Sequence, residues 1–177
     1  GLARLFIRIE AEELPLLGHI HALAVLLGQV GERLVESVLM HFGDGDEYGV
    51  RLSYATESVP MGTAGSVKNA EEGLAKEPFL VVSGDALTDI DLSALVAFHE
   101  QTGALVTVAL ARKPNVIEFG NVITADDGRI ERFIEKPTWG QVFSDTVNTG
   151  IYVMAPEVLA LVPVDEKVDW SADIFPT

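Results

Sequence analysis

Cysteine is absent from the 177 residues, so no disulfide frame, thiolate metal site or cysteine nucleophile can form. A reducing, cytoplasmic setting is the expectation. Cationic residues are scarce, with 12 Lys and Arg against 27 Asp and Glu and a formal net charge of −15. That balance argues against a general nucleic-acid surface, which needs clustered lysine and arginine to meet the phosphates. It leaves a nucleotide open, because one bound divalent cation and one well-placed lysine reverse the field locally. An uninterrupted membrane span of about 20 apolar residues is lacking as well. The longest apolar run, LPLLGHIHALAVLLGQV from Leu14 to Val30, contains His19, His21 and Gln29 and reads as a buried helix. Glu10, Glu12 and Glu13 stand where a secretory leader would be basic. Neither a membrane nor a nucleic acid is expected as a partner.

No fixed-period repeat or Gly/Ser linker divides the chain, and its length suits one domain. Period-2 patterning and β-formers predict a strand over Val50–Glu57. Small residues and then helix formers predict a helix over Gly62–Ala75. Pro78 introduces the strand FLVVS. Asp91 is a predicted N-cap for a helix carrying Leu92, Leu95, Val96 and His99 on one face, ending near Gly103. His99 itself is expected on the helix surface. ALVTVALA (104–111) is a nearly continuous apolar strand, which suits parallel strands covered on both faces by helices. Asp127-Gly128 between VITA and RIERFI is a hairpin signal. TGIYVM (149–154) is a further strand, and Pro156 starts a short helix. The alternation predicts an α/β fold with a mostly parallel sheet. Before residue 42, LARLFIRI reads as a strand and the segments Leu14–Leu27 and Glu32–Phe42 as helices, with no packing order evident.

Ligands of open α/β sheets sit beyond the carboxyl ends of the strands, which is where Asp85 falls. Gly84 beside it removes a side chain that would crowd a ligand. A carboxylate there suits Mg²⁺, which takes oxygen ligands from one or two carboxylates plus substrate phosphates. The competing reading makes Asp85, Asp89 and Asp91 turn and cap residues, and it is preferred for Asp89 and Asp91. PMGTAGSVK (60–68) is a Gly-rich turn entering a helix, whose exposed N–H groups can meet an anion or a base edge. It lacks the Gly-Lys-Ser/Thr ending of a P-loop, and a plain tight turn explains it equally. Lys136 in IEKPTWG is either a phosphate-neutralising cation or a solvated lysine. The four histidines have no metal-ligand spacing, and no Ser/His/Asp set is present.

The order of these pieces is more specific than any one of them. FGDG (42–45), PMGTAGSVKNAE, VVSGDALTDIDL, GRIERFIEKPTWG, SDTVNTGIYVMAPEVL and DIFP together resemble the sugar-phosphate nucleotidyltransferases. The similarity is strongest to their mannose-1-phosphate guanylyltransferase branch, and it covers residues 42–176. It implies a Rossmann-like nucleotidyltransferase fold with a mostly parallel central sheet flanked by helices. The domain would be single, 1–177, with a divergent part at 1–41 and a C-terminally truncated family-like core at 42–177. The implied reaction moves a nucleoside monophosphate from a nucleoside triphosphate, GTP in that branch, to a sugar 1-phosphate with Mg²⁺ as cofactor. Carried over by position, Asp85 would ligate Mg²⁺ and Lys136 would neutralise the sugar phosphate. Glu57, Gly62, Thr63, Gly65 and Gly84 would form the nucleotide pocket. Gly120, Glu135, Asn148 and Thr149 would contact the hexose. Whether the chain forms a homo-oligomer is left open.

Two departures accompany the resemblance. Residues before Phe42 hold no glycine-rich loop of the kind that opens the family, and no lysine. The family's second metal aspartate would lie past Thr177. Loss of one preorganised electrostatic group costs about 10²–10³ in rate. The expectation is therefore a weak or inactive catalyst carrying most of a nucleotide-sugar pocket, with a non-catalytic nucleotide-sugar-binding subunit or a truncated fragment as the alternative. Asn121, within FGN, stands where the family usually has an apolar residue.

Overall fold

The computed structural model describes residues 2–10, 22–57, 59–74 and 77–176. Eight strands form one sheet: β1 (Leu2–Glu10), β2 (Ala22–Gly31), β3 (Arg51–Glu57), β4 (Phe79–Ser83), β5 (Val106–Arg112), β6 (Gly120–Thr124), β7 (Ile130–Glu135) and β8 (Thr146–Met154). Three α-helices accompany it: α1 (Glu32–Phe42), α2 (Gly62–Asn69) and α3 (Leu92–Thr102). The order across the sheet is β3-β1-β2-β4-β8-β6-β7, with β5 pairing the other edge of β8.

Strand β8 organises the molecule. Its C-terminal half pairs β4 through Phe79–Met154 to Val82–Ile151, and its N-terminal half meets β6 at Val147–Asn121. Alternation along these strands sends side chains to two faces. Phe79, Val81, Tyr152 and Met154 pack on one face against Val67 of α2 and against Val158, Leu159, Val162, Val168 and Trp170. Leu80, Ile151 and Val153 pack on the other against Val96 of α3. Both faces are covered, as the apolar runs predict.

The mostly parallel sheet is corrected. Only β2–β4 is parallel among the described pairings, and β1–β2, β1–β3, β4–β8, β5–β8, β6–β7 and β6–β8 are antiparallel. An apolar run reports burial on two faces and carries no information about direction. The helix expected over Leu14–Leu27 is corrected from Ala22 onward. Residues 22–31 form β2, because the backbone there is paired on both sides, by β1 and by β4. Residues 14–21, with His19 and His21, lie outside the described residues. The α2 helix ends at Asn69, earlier than expected, and a 3₁₀ turn follows at Glu71–Gly73.

The predicted cap of α3 is present: Ala94 N donates to Asp91 Oδ1 at 2.9 Å, and Gly103 closes the helix with φ of 60°. His99 is buried rather than on the surface, its Nδ1 lying 2.9 Å from Thr107 Oγ1 on β5. Burial holds its pKa below the ordinary histidine value, against a smaller opposite push from Glu100. The Asp127-Gly128 hairpin joins β6 to β7, and Phe98 of α3 sits against its Gly128.

Candidate functional site

A cavity of about 270 Å³ opens where the end of β4, the middle of β8, the end of β7 and the start of α2 converge. Its walls are Thr63, Ser83, Glu135, Lys136, Gly150, Tyr152, Asp169, Ser171 and Ala172. Three residues singled out in the sequence, Thr63, Glu135 and Lys136, are thereby brought together from positions up to 73 residues apart.

Glu135 ends β7 opposite Gly120 of β6. A Cβ at Gly120 would lie 2.9 Å from Glu135 Oε2 and 2.7 Å from the Phe133 ring. Gly120 therefore makes room for the carboxylate. Burial raises the Glu135 pKa above the ordinary carboxylate value; Lys136 works against that shift and Asp169 adds to it. Lys136 has φ of 45°, the left-handed region that costs a non-glycine residue roughly 1–3 kcal/mol. Its backbone N is fixed to Phe119 O at 3.1 Å, and the buried Pro137 follows.

The Asn-Thr-Gly segment of β8 forms a bulge. Between the pairs Val108–Tyr152 and Leu110–Asn148, β8 has three residues where β5 has only Ala109. Gly150 takes φ of 78°, and a Cβ on it would stand 3.0 Å from Ser83 Cβ. Asn148 Oδ1 accepts from Gly150 N, and its Nδ2 donates to Tyr152 Oη and Ser171 Oγ. Thr149 Oγ1 donates to Ala109 O at 2.8 Å. Both polar side chains are thus spent on shaping the bulge, and the cavity wall here is Gly150 rather than Asn148 or Thr149.

The GTAG turn differs from the expectation of exposed N–H groups. Thr63 N donates to Asp169 Oδ1 at 2.9 Å, while Ala64 N and Gly65 N both donate to Val168 O. Val168 N returns a bond to Met61 O at 2.8 Å. The glycines permit this approach: a Cβ on Gly62 would be 2.3 Å from Val168 O, and one on Gly65 would be 2.9 Å from Glu166 O. The motif brings two backbones together. Its partner lies a hundred residues away in sequence, in a segment with no pattern of its own.

Glu57 lies on the far side of this turn. Its buried carboxylate accepts from Met61 N through Oε2, while Oε1 has no partner among the described residues. It lines a second cavity of about 310 Å³ together with Pro60, Asn69 and Lys167. Gly84 and Asp85 occupy an exposed turn closed by Ala86 N to Ser83 O at 3.0 Å. Ser83 lines the 270 Å³ cavity, and Asp85, two residues further, is not among its walls. No cluster of three or more His, Asp or Glu arranged for a metal occurs among the described residues. A lone exposed carboxylate fits only a cation whose remaining ligands are water and phosphate oxygens, the usual habit of Mg²⁺.

Asp169 and Ser171 are cavity residues that sequence reasoning missed. The motif DIFP just beyond them was noticed, but a carboxylate before a tryptophan gives no signal of a site.

The profile of the nucleotidyl transferase family matches residues 18–177, nearly the whole chain and 24 residues further upstream than the motifs alone reach. The chain belongs to the nucleotidyl transferase family. Within it, a UTP–glucose-1-phosphate uridylyltransferase of Synechocystis is 35% identical over 156 residues, covering 81% of this chain and 40% of that protein. A mannose-1-phosphate guanylyltransferase of Mycobacterium tuberculosis is 32% identical, covering 92% of this chain and 46% of that protein. The chain thus spans under half the length of these curated relatives. Among solved structures, a Bacillus anthracis protein assigned as a glucose-1-phosphate thymidylyltransferase superposes with a TM-score of 0.67 at 22% identity. That match covers 78% of this chain and 56% of the other, and it establishes a shared nucleotidyltransferase fold.

Proposed function

We propose that this chain is the nucleotidyl-transfer part of a sugar-1-phosphate nucleotidyltransferase, taking GTP and mannose 1-phosphate or a related pair. The observation that carries the reading is the meeting of Lys136 and Glu135 in one cavity with Thr63 of the GTAG turn. A lysine beside two carboxylates suits a ligand with a phosphate at one end and hydroxyls at the other. In the reaction, an oxygen of the sugar 1-phosphate bonds to the α-phosphorus. The bond from that phosphorus to the bridging oxygen breaks, and pyrophosphate leaves with the electron pair. Such transfers ask the protein for positioning and charge neutralisation, which accords with the absence of a nucleophile triad. Lys136 holds the sugar phosphate, and its rigid left-handed backbone fixes the direction of approach. Glu57 and the GTAG turn form the nucleotide end. Asp85 is the residue that would hold Mg²⁺, which when bound offsets the charge of the triphosphate.

The test is pyrophosphate release with Mg²⁺, each nucleoside triphosphate, and mannose or glucose 1-phosphate. Release is expected with one pair and reduced in Lys136→Ala, whose lost charged contact should weaken sugar 1-phosphate binding about 10- to 100-fold. No release and no binding with any pair would sink the reading. The lysine-free stretch before residue 68 favours a second reading, a nucleotide-sugar binder without turnover. GDP-mannose raising the melting temperature without pyrophosphate release would select it.

A further inference from the structure

We infer that Asp169 binds the hexose of the sugar 1-phosphate and, through the same carboxylate, fixes that hexose relative to the GTAG turn. The inference rests on the proposed function and adds a residue and a division of labour to it. Asp169 Oδ1 is fully engaged, accepting from both Thr63 N and Thr63 Oγ1 at 2.9 Å. Trp170 N in turn donates to Thr63 Oγ1 at 3.0 Å, and Asp169 N donates to Asp173 Oδ2 at 2.8 Å. The carboxylate plane is therefore set by its neighbours before any ligand arrives. Its second oxygen, Oδ2, meets no donor among the described residues, although Asp169 lines the cavity.

An ionised carboxylate only accepts hydrogen bonds, so Oδ2 calls for a donor from the ligand. Glu135, the other carboxylate of the cavity, has the same need. Lys136 provides the one cation of the walls. Two acceptors and one ammonium describe a ligand with hydroxyls at one end and an anion at the other. Inorganic phosphate would satisfy Lys136 alone. A nucleotide phosphate would meet repulsion from the two carboxylates. The electrostatic reach of Asp169 across the cavity is independent support, since its charge pushes the carboxyl of Glu135 and the phenol of Tyr152 toward their neutral forms.

Asp169 could instead serve only as a tether for the start of α2, and Asp169→Asn separates the two roles. The asparagine oxygen can still accept from Thr63, while the free acceptor becomes an NH₂ donor. The experiment titrates mannose 1-phosphate, glucose 1-phosphate and inorganic phosphate into wild type, Asp169→Asn and Lys136→Ala by calorimetry, with melting temperatures alongside. Expected for Asp169→Asn is a melting temperature within a few degrees of wild type and unchanged phosphate affinity. Its hexose 1-phosphate affinity should fall at least about tenfold, as for a lost charged hydrogen bond. Lys136→Ala should lose both ligands.

Equal hexose phosphate affinity in Asp169→Asn and wild type, with Lys136→Ala still impaired, would overturn this inference and leave the proposed function standing. Equal losses of phosphate and hexose phosphate in Asp169→Asn would also overturn it. Wild type that binds no sugar phosphate removes both. Should Asp169→Asn fail to fold, monodeoxy hexose 1-phosphates on wild type decide the matter. At least one must bind about tenfold more weakly than its parent, and uniform affinity across the series counts against the assignment.

Discussion

Glu135 is the residue whose surroundings contradict its charge most directly. Burial disfavours its ionised form, Asp169 adds to that, and Lys136 offsets it in part. A carboxyl raised in the folded state binds its proton more tightly there than in the unfolded chain. Its contribution to stability is complete below the ordinary carboxylate value and is lost as pH rises through the raised one. Glu135→Gln does not titrate and keeps the shape that Gly120 accommodates. The variant should gain stability relative to wild type as pH rises from about 4 to 7, with the difference largest at neutrality. Urea denaturation across that range measures it, and a difference that shrinks toward neutrality would refute the assignment. The same strain marks a binding residue: an acceptor held where water solvates it poorly is repaid when a hydroxyl arrives.

Elements explain why part of the site could be read from the chain and part could not. The strands announced themselves through apolar runs, and the cap and stop of α3 were visible as Asp91 and Gly103. Strand direction was not visible, because β8 returns antiparallel beside β4 and β5 and no residue type encodes that. His99 looked like a surface residue on helical spacing alone, yet Thr107 on a neighbouring strand supplies its partner. GTAG was legible as a special turn, but its physical reason, the backbone of residues 166–169, is remote. The glycine at the centre of that contact should be irreplaceable. Gly62 has φ of 78°, and a Cβ would come within 2.3 Å of a carbonyl oxygen. Gly62→Ala should lose about 2 kcal/mol or more, combining left-handed strain with the clash. Gly140 has open space around a would-be Cβ and no left-handed backbone, so Gly140→Ala should stay within about 0.5 kcal/mol of wild type. Chemical denaturation of the pair tests this, and equal effects would mean that α2 does not need the approach of Val168.

At the scale of the whole molecule, charge is the dominant unbalanced quantity. A net charge of −15 on 177 residues repels itself in the compact state. Attractive pairs offer little compensation among the described residues. Arg112–Asp145 and Arg129–Asp127 are both exposed, at 3.3 and 4.0 Å, and pairs of that kind contribute about 0–1 kcal/mol each. Salt therefore screens more repulsion than attraction. Raising sodium chloride from about 0.01 to 0.15 M shortens the screening length from about 30 to 8 Å, which reaches the spacing between surface carboxylates. The melting temperature should climb by several degrees over that interval and then level off. A fall would show that specific ion pairs outweigh the global repulsion. The same field bears on the ligand, because a sugar phosphate approaches an acidic protein against a repulsive potential that Lys136 overcomes only at close range. Its association rate should therefore rise with salt over the same interval, whereas a ligand drawn in by a positive surface would slow.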